Sequence, residues 1–471
     1  MLRCPQAIDG VLQYELMTMV QEASLPACLS GRDVLARAKT GTGKTLAFLI
    51  PSIERLARAP GGVAAGGVHV MVLSPTRELA MQIANEAEAL LTHHTLASQC
   101  VYGGTNMRSE QTRMATRRCD IMVATPGRLV DHIQNTPGFA QRLKHVCVAV
   151  LDEADQLLDM GFRDSLDKII AALPPTRQTL LFSATLPPSV RAIATAALKR
   201  DHVFVDTVGD DAQQTNTQVR QCVMVAPFEA QIPALVHLVR HAASVPNHKV
   251  LAFFPTARAT QFHAELLNIM GTPVLEIHSR KSQSQRERAS AAFRAAASAI
   301  LFSSDVSARG VDYPDVTAVI QVGAPTDRSQ YIHRLGRTAR AGKQGDGVLL
   351  LAPFETYVLR ELSDLPITPV DFVPPSPVLA TEVARGLASV DSQTAAQCYG
   401  AWLGEKNGSL RKLNWDKVTL VRWANAYSLT LGLQEPPQLE AKTIGKMGLK
   451  GVPGLRVKKD DGGFRGGRPR G

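Results

Sequence analysis

At 471 residues the chain is too long for one ordinary hydrophobic core, and a length prior points to about two to four domains. Apolar residues make up 45% of it and the formal net charge is +10, a balance that favours a polyanionic partner such as nucleic acid or an anionic membrane surface. Its seven cysteines are scattered with no Cys-x-x-Cys pair, which argues against a zinc site or a disulfide framework, and no apolar run approaches the roughly 18 residues that span a bilayer.

The N-terminus carries neither a secretory signal nor an Arg/Ser-rich transit peptide, and a leader is expected to be missing from the sequence as it stands. The first strong signal is Val34-Leu-Ala-Arg-Ala-Lys-Thr-Gly-Thr-Gly-Lys-Thr45, which reads as a buried strand, a small-residue loop and a helix starting near Gly43. Inward-pointing backbone N–H groups and the positive end of a helix make phosphate the natural guest of Ala38, Lys39, Thr40, Gly41, Thr42, Gly43, Lys44 and Thr45. Lys44 reaches the β- and γ-phosphates in such a loop, and the Thr45 hydroxyl ligates Mg²⁺. Ala38 stands where the usual pattern opens with Gly, which works only if its φ is negative.

Further apolar runs follow at residues 68–73, 120–124, 146–151 and 179–182, each ending in a polar or Gly/Pro loop. Alternation with helical patterns predicts α/β domains with mostly parallel sheets, whose carboxyl-end loops share one ligand face. A polar stretch at 207–217 reads as an interdomain linker, and a second α/β series follows at 249–254, 274–277, 299–302, 316–320 and 347–351 without a second phosphate loop. Two such domains and one nucleotide site suggest a cleft that closes on the nucleotide. Residues 366–377 read as a Pro-rich extended joint, and 379–403 and 418–431 as helical. Trp402, Trp415 and Trp423 all lie beyond the joint and read as a small core. The tail from Arg456 to Gly471 has the composition of a disordered segment that sticks to phosphate.

Asp152-Glu-Ala-Asp155 follows an apolar strand in the phosphate-loop domain. Asp152 is assigned to Mg²⁺, directly or through water, and Glu153 to the general base that polarises the attacking water. In the second domain, Tyr331-Ile-His-Arg-Leu-Gly-Arg-Thr-Ala-Arg340 concentrates cations. Arg337 and Arg340 are the candidates to stabilise charge on a transferring phosphoryl group; a phosphate-binding patch or a structural salt-bridge cluster is the alternative.

Taken in order, Thr18-Met-Val-Gln21, residues 38–45, Pro75-Thr-Arg-Glu-Leu-Ala80, Gly103-Gly104, Thr125-Pro-Gly-Arg128, residues 152–155, Ser183-Ala-Thr185, Asp305-Val-Ser-Ala-Arg-Gly-Val-Asp312 and residues 333–340 resemble the motif series of the DEAD-box RNA helicases. The resemblance covers residues 11 to about 352. It implies two tandem RecA-like P-loop domains (1–206 and 219–365) joined by a linker (207–218), with a helical C-terminal extension (366–455) and a basic tail (456–471). It implies that Gln21 reads the adenine edge and that Gly310 and Asp312 lie against the nucleotide. Ser183, Ala184 and Thr185 are implied to couple hydrolysis to strand separation, and His333 to bridge the domains near the acidic motif. Pro75, Arg77, Gly104, Thr125 and Arg128 are implied to hold the RNA backbone from the first domain, and Thr256 from the second. The chain departs from the family near Cys4, where an aromatic well is expected (Tyr14 suits only the nearer position), and at Ser303-Ser304 before Asp305.

Ala36-Arg-Ala-Lys39, Thr338-Ala-Arg340 and Lys446-Met-Gly-Leu-Lys-Gly-Val-Pro-Gly-Leu455 resemble more closely the fungal mitochondrial branch that assists intron splicing. The implied protein is a monomeric, ATP- and Mg²⁺-dependent RNA helicase or chaperone of the mitochondrial matrix, or otherwise of the nucleolus or cytoplasm. It grips structured or duplex RNA with little sequence preference and uses no membrane. Its rival is an ATP-gated RNA clamp that separates few strands.

Overall fold

Runs of four apolar residues such as Val70–Leu73, Ile121–Ala124 and Val148–Leu151 have no polar face to offer water, so they become strands covered on both sides. The computed structural model describes residues 16–39, 41–64, 66–209, 218–305, 313–339 and 343–458. In it β1 (Val34–Arg37), β2 (Val70–Leu73), β3 (Ser98–Val101), β4 (Ile121–Ala124), β5 (Val148–Leu151), β6 (Gln178–Ser183) and β7 (Val203–Asp206) form one sheet in the order β3-β4-β2-β5-β6-β1-β7. Every pairing in it is parallel. Two apolar clusters cover its faces, one around Phe48, Ile53 and Ile83, the other around Met122, Leu166 and Ile193.

The second sheet repeats the plan, with β8 (Val219–Val225), β9 (Lys249–Phe254), β10 (Leu275–Ile277), β11 (Ala299–Ser304), β12 (Ala318–Val322), β13 (Gly345–Leu351) and β14 (Ile367–Val370) in the order β10-β11-β9-β12-β13-β8-β14. Its pairings are likewise parallel. Four strands, β3, β7, β8 and β14, go beyond those expected from sequence. β3 alternates buried with more exposed positions and β7 is a half-exposed edge, while β8 carries the polar pair Arg220-Gln221 before its short apolar run at 222–225. Pro369 lies on the edge strand β14, where a missing N–H is tolerated; the extended joint thus begins as part of the second sheet.

Beyond it, Pro377–Ser389, Ser392–Gly408 and Lys417–Thr430 are helices. The expected helical run at 379–403 is broken at Val390, and Asp391 restarts it by accepting from Thr394 N. Leu403, Leu420, Ala424 and Tyr427 join Leu235, Phe262 and Leu266 in one cluster, so the extension shares a core with the second lobe. The three tryptophans pack there too: Trp415 stacks on Trp423 at 5.9 Å, and Phe354 meets Trp415 at 4.9 Å. No helix among the described residues is long and apolar enough to cross a membrane.

His263 lies inside this core, stacked on Phe254 at 4.8 Å with Nδ1 donating to Ala259 O. Burial pushes it down to about 4 from its ordinary 6.5. The unfolded chain therefore takes up the proton first as pH falls, so the stabilisation is full above about pH 6.5 and is lost toward pH 4. His263→Phe is expected to remove ~3 kcal/mol of that pH dependence, read by denaturant melts of parent and variant at pH 7 and 4.5.

Candidate functional site

The loop after β1 is built on two left-handed glycines, Gly41 (φ 75°) and Gly43 (φ 84°); Ala38 is not among the positive-φ residues. Ala38 N donates to Ser183 O at 3.0 Å, tying the loop's first residue to the end of β6. A Cβ on Gly43 would collide with the Gln21 amide, whose Nε2 donates to Gly43 O at 3.1 Å and whose Oε1 accepts from Thr18 N at 2.9 Å. Gln21 is thus seated against the loop. Thr42 Oγ1 donates to Lys39 O, and Lys44 and Thr45 open the Lys44–Ala57 helix. Thr40 lies outside the described residues.

Lys44 is buried and its Nζ lies 3.0 Å from Glu153 Oε1. Three acids crowd the turn after β5, and the environment sorts them. Burial, then the neighbouring Glu153 charge, push Asp152 up to about 7. For Glu153 burial is outweighed by Lys44 and His333, which hold its carboxyl below the ordinary range. Asp155 is held well below that range: burial opposes ionisation, but His333 and Thr185 outweigh it. Burial alone would lower the Lys44 ammonium; the carboxylates of Glu153, Asp152 and Asp155 keep it above its ordinary value. Glu153 itself sits at φ 50°, a conformation disfavoured for a side chain with a Cβ.

The end of β6 closes this cluster. Asp155 Oδ2 accepts from Thr185 N (3.0 Å) and Oγ1 (2.7 Å), while Ser183 Oγ accepts from Asp155 N and donates to Thr185 O; Ala184 lies between them. From the second lobe, the Arg328–Leu335 helix brings His333 Nε2 to 3.5 Å from Asp155 Oδ2 and Nδ1 to 3.4 Å from Gln156 Nε2. Glu153, Asp155 and His333 present ligand atoms within 4.8 Å of one another. Arg337 is buried, donates through Nε to His333 O, and adds to the positive field on Glu153. Arg334 forks onto Asp305 at 2.7 and 2.8 Å, fixing the helix to the end of β11. Arg340, Gly310 and Asp312 lie outside the described residues.

The other candidates follow the carboxyl ends of β2, β3, β4 and β9. Pro75 is buried, and Thr76 caps the Arg77–Leu90 helix. Gly104 (φ 92°) packs so closely on Arg77 that any Cβ there would strike the guanidinium. Thr125 is the N-cap of the Pro126–Asn135 helix and Thr256 that of Ala257–Ile269. Arg128 turns inward: it donates to Tyr102 O (3.1 Å) and Thr105 Oγ1 (2.9 Å) and pairs with Glu110 at 3.1 Å, beside His132. Its guanidinium therefore orders the Tyr102–Thr105 loop.

Residues 18–193 match the model for the DEAD/DEAH box helicase domain and residues 230–342 the helicase conserved C-terminal domain. The chain is 51% identical over 461 residues to DEAD-box ATP-dependent RNA helicase 31 of Oryza sativa subsp. japonica, covering 96% of this chain and 84% of that protein. The chain belongs to the DEAD-box helicase family. It is 52% identical to DEAD-box ATP-dependent RNA helicase 31 of Arabidopsis thaliana over 94% of its own length, and spans 63% of that relative and 53% of helicase 26 from the same plant. Among solved structures, Mss116p with its NTE and C-tail deleted, bound to ssRNA and AMP-PNP, superimposes with a TM-score of 0.84 at 29% identity, covering 96% of this chain and 94% of that one. The two parallel sheets are tandem RecA-like lobes, and a helical C-terminal region follows them.

In this DEAD-box chain the lobes also meet through residues that sequence reading missed. Arg286 of the Gln283–Ala295 helix lies 2.5 Å from Glu78, both buried; Arg77 Nη1 donates to Gln283 Oε1 at 3.5 Å and Tyr102 OH to Glu287 Oε1 at 3.3 Å. The Gln283–Ala295 helix is polar, and Arg286 and Phe293 are its buried residues. Glu78→Ala leaves Arg286 buried without its carboxylate when the lobes close, a cost of about 3–5 kcal/mol. The closed-to-open ratio in the presence of RNA and a non-hydrolysable ATP analogue is expected to fall by about 100-fold or more, read by fluorescence transfer between dyes on the two lobes. An unchanged closed-to-open ratio excludes the pair as a latch.

Proposed function

We propose that the chain is an ATP-dependent RNA helicase or RNA chaperone that clasps RNA across two lobes and remodels it as ATP turns over. The observation that carries this reading is the buried chain Lys44, Glu153, Gln156, His333 and Asp155, which draws members from both lobes at the carboxyl ends of their sheets. A site assembled this way works only when the lobes are together, and RNA lying over the opposite rim, on Arg77, Gly104, Thr125 and Thr256, favours that state. The names of the plant relatives and of the Mss116p complex support the same activity.

Each residue has a task in this reading. Lys44 exchanges its 3.0 Å contact with Glu153 for the β- and γ-phosphate oxygens, which frees Glu153 to accept a proton from the attacking water. The strained backbone at Glu153 fixes the aim of its carboxylate. Arg337, with Arg340, places positive charge on the transferring phosphoryl group. Asp155, Thr185 and His333 register lobe closure at the acidic turn. Arg128 acts on RNA by holding the Gly103-Gly104 loop in shape. Asp152 is buried beside Glu153, so its negative charge is disfavoured until a cation joins it; with the Thr45 hydroxyl it fits Mg²⁺, partly through water. Held by these two residues, the ion would supply positive charge against the nucleotide's phosphates.

A finer placement, mitochondrial RNA splicing and processing, rests on Thr338-Ala-Arg340 and the 446–455 run, together with the Mss116p-like C-terminal region.

Glu153→Gln is expected to keep ATP and RNA binding while RNA-stimulated hydrolysis falls by about 10²-fold or more. Steady-state ATPase with RNA, with DNA of the same sequence and with neither tests the reading as a whole. Hydrolysis equally fast in all three would remove RNA as the lobe-closing ligand.

A further inference from the structure

The most buried ammonium of the C-terminal extension makes its bonds to the ATPase core. Lys406, on the Ser392–Gly408 helix and 3% exposed, donates to Glu355 Oε1 at 2.5 Å and pairs with Glu405 at 3.1 Å. Its Nζ also lies 6.0 Å from the ring centroids of Phe354 and Trp402. An apolar side chain would fill this aromatic joint without the cost of burying charge, so adhesion alone does not explain a lysine here.

Glu355 shows what the charge is for. Besides Lys406 it accepts from Ala352 N at 3.0 Å and from Ala324 N at 3.3 Å. Ala324 belongs to the loop between β12 and the Arg328–Leu335 helix, and a Cβ on its neighbour Gly323 would lie 3.3 Å from Glu355 Oε1. Two residues on, Lys412 Nζ donates to Thr326 O at 2.8 Å and pairs with Glu361 at 3.1 Å. Thr326 N donates to Gln330 Oε1, and Asp327 caps the helix by accepting from Gln330 N. Both lysines thus converge on residues 324–326, at the root of the helix that carries His333 toward Asp155 and Gln156.

We propose that Lys406 and Lys412 are positioning residues for ATP turnover: through the 323–327 loop they hold the Arg328–Leu335 helix at the height where His333 meets the acidic turn. The extension then sets the rate at which the closed site works, besides covering the second lobe. The inference rests on the proposed RNA-stimulated ATPase.

The test uses the full chain with Lys412→Ala and Lys406→Met, measuring RNA-stimulated kcat per nucleotide-binding site, KM for ATP and the thermal midpoint. Because small misplacements of catalytic groups cost up to about 10²-fold, Lys406→Met is expected to lose about 10-fold in kcat and the exposed Lys412→Ala about 3-fold. KM for ATP should stay within about twofold, since the phosphate loop is untouched. Lys412 lies at the surface, so its variant keeps the question decidable even where Lys406→Met does not fold. A fall in kcat at constant KM in either folded variant supports the proposal. Parental kcat in every variant that folds overturns it, as does a loss seen only as fewer nucleotide-binding sites at unchanged kcat per site. A parent chain with no RNA-stimulated hydrolysis sinks the functional reading instead.

Discussion

Three carboxylates within four residues, all buried, cannot stay ionised on their own. Asp152, Glu153 and Asp155 are brought together because β5 ends there and a helix begins at Ala154, and the cations that let them ionise come from elsewhere in the chain. Lys44 arrives from the phosphate loop, His333 and Arg337 from the other lobe. Where the lobes meet, the acids are out of water and beside their counter-charges. This is why one nucleotide site needs two sheets of the same plan, only one of which carries a phosphate loop. The second lobe's contribution to the chemistry is positive charge on a positioned helix.

What holds that helix is distributed. Arg334 pins its middle to Asp305 at the end of β11, Asp327 caps its start, and Glu355 braces the loop before it. The C-terminal helices share a core with this lobe and reach the same brace through Lys406. In the proposed coupling, a change in how the extension sits reaches His333 through the 323–327 loop.

The sequence carried much of this in plain form. Continuous apolar runs marked the buried parallel strands, and the Gly-Lys-Thr loop, the acidic turn and the 331–340 run each stood out by composition. That these lie together follows from a rule about parallel sheets, whose carboxyl ends share a face. Other features were hidden for physical reasons. β3 and β7 are half-exposed and show no long run, and β8 carries the polar pair Arg220-Gln221 near its start. Glu78 and Arg286 are ordinary surface types until a second lobe covers them, and no local pattern announces which charges a distant partner will bury. Arg128 has partners that its motif alone does not announce: its donors meet Tyr102, Thr105 and Glu110.

The character of the contact between the lobes follows from what closure must allow. Among the described residues no hydrophobic cluster spans both lobes; each cluster belongs to one. The lobes meet instead through Glu78–Arg286, Arg77–Gln283, Tyr102–Glu287 and the His333 contacts. An apolar seam of the same extent would hold the cleft shut, because burying hydrocarbon is favourable whatever is bound. Buried ion pairs recover little beyond their desolvation cost, but they demand correct geometry and penalise misalignment heavily. A seam made of them leaves the closed form near balance, so in the proposed function ATP on one rim and RNA on the other would decide it. Reversible closure thus requires that the residues joining the lobes be polar, specific and individually weak.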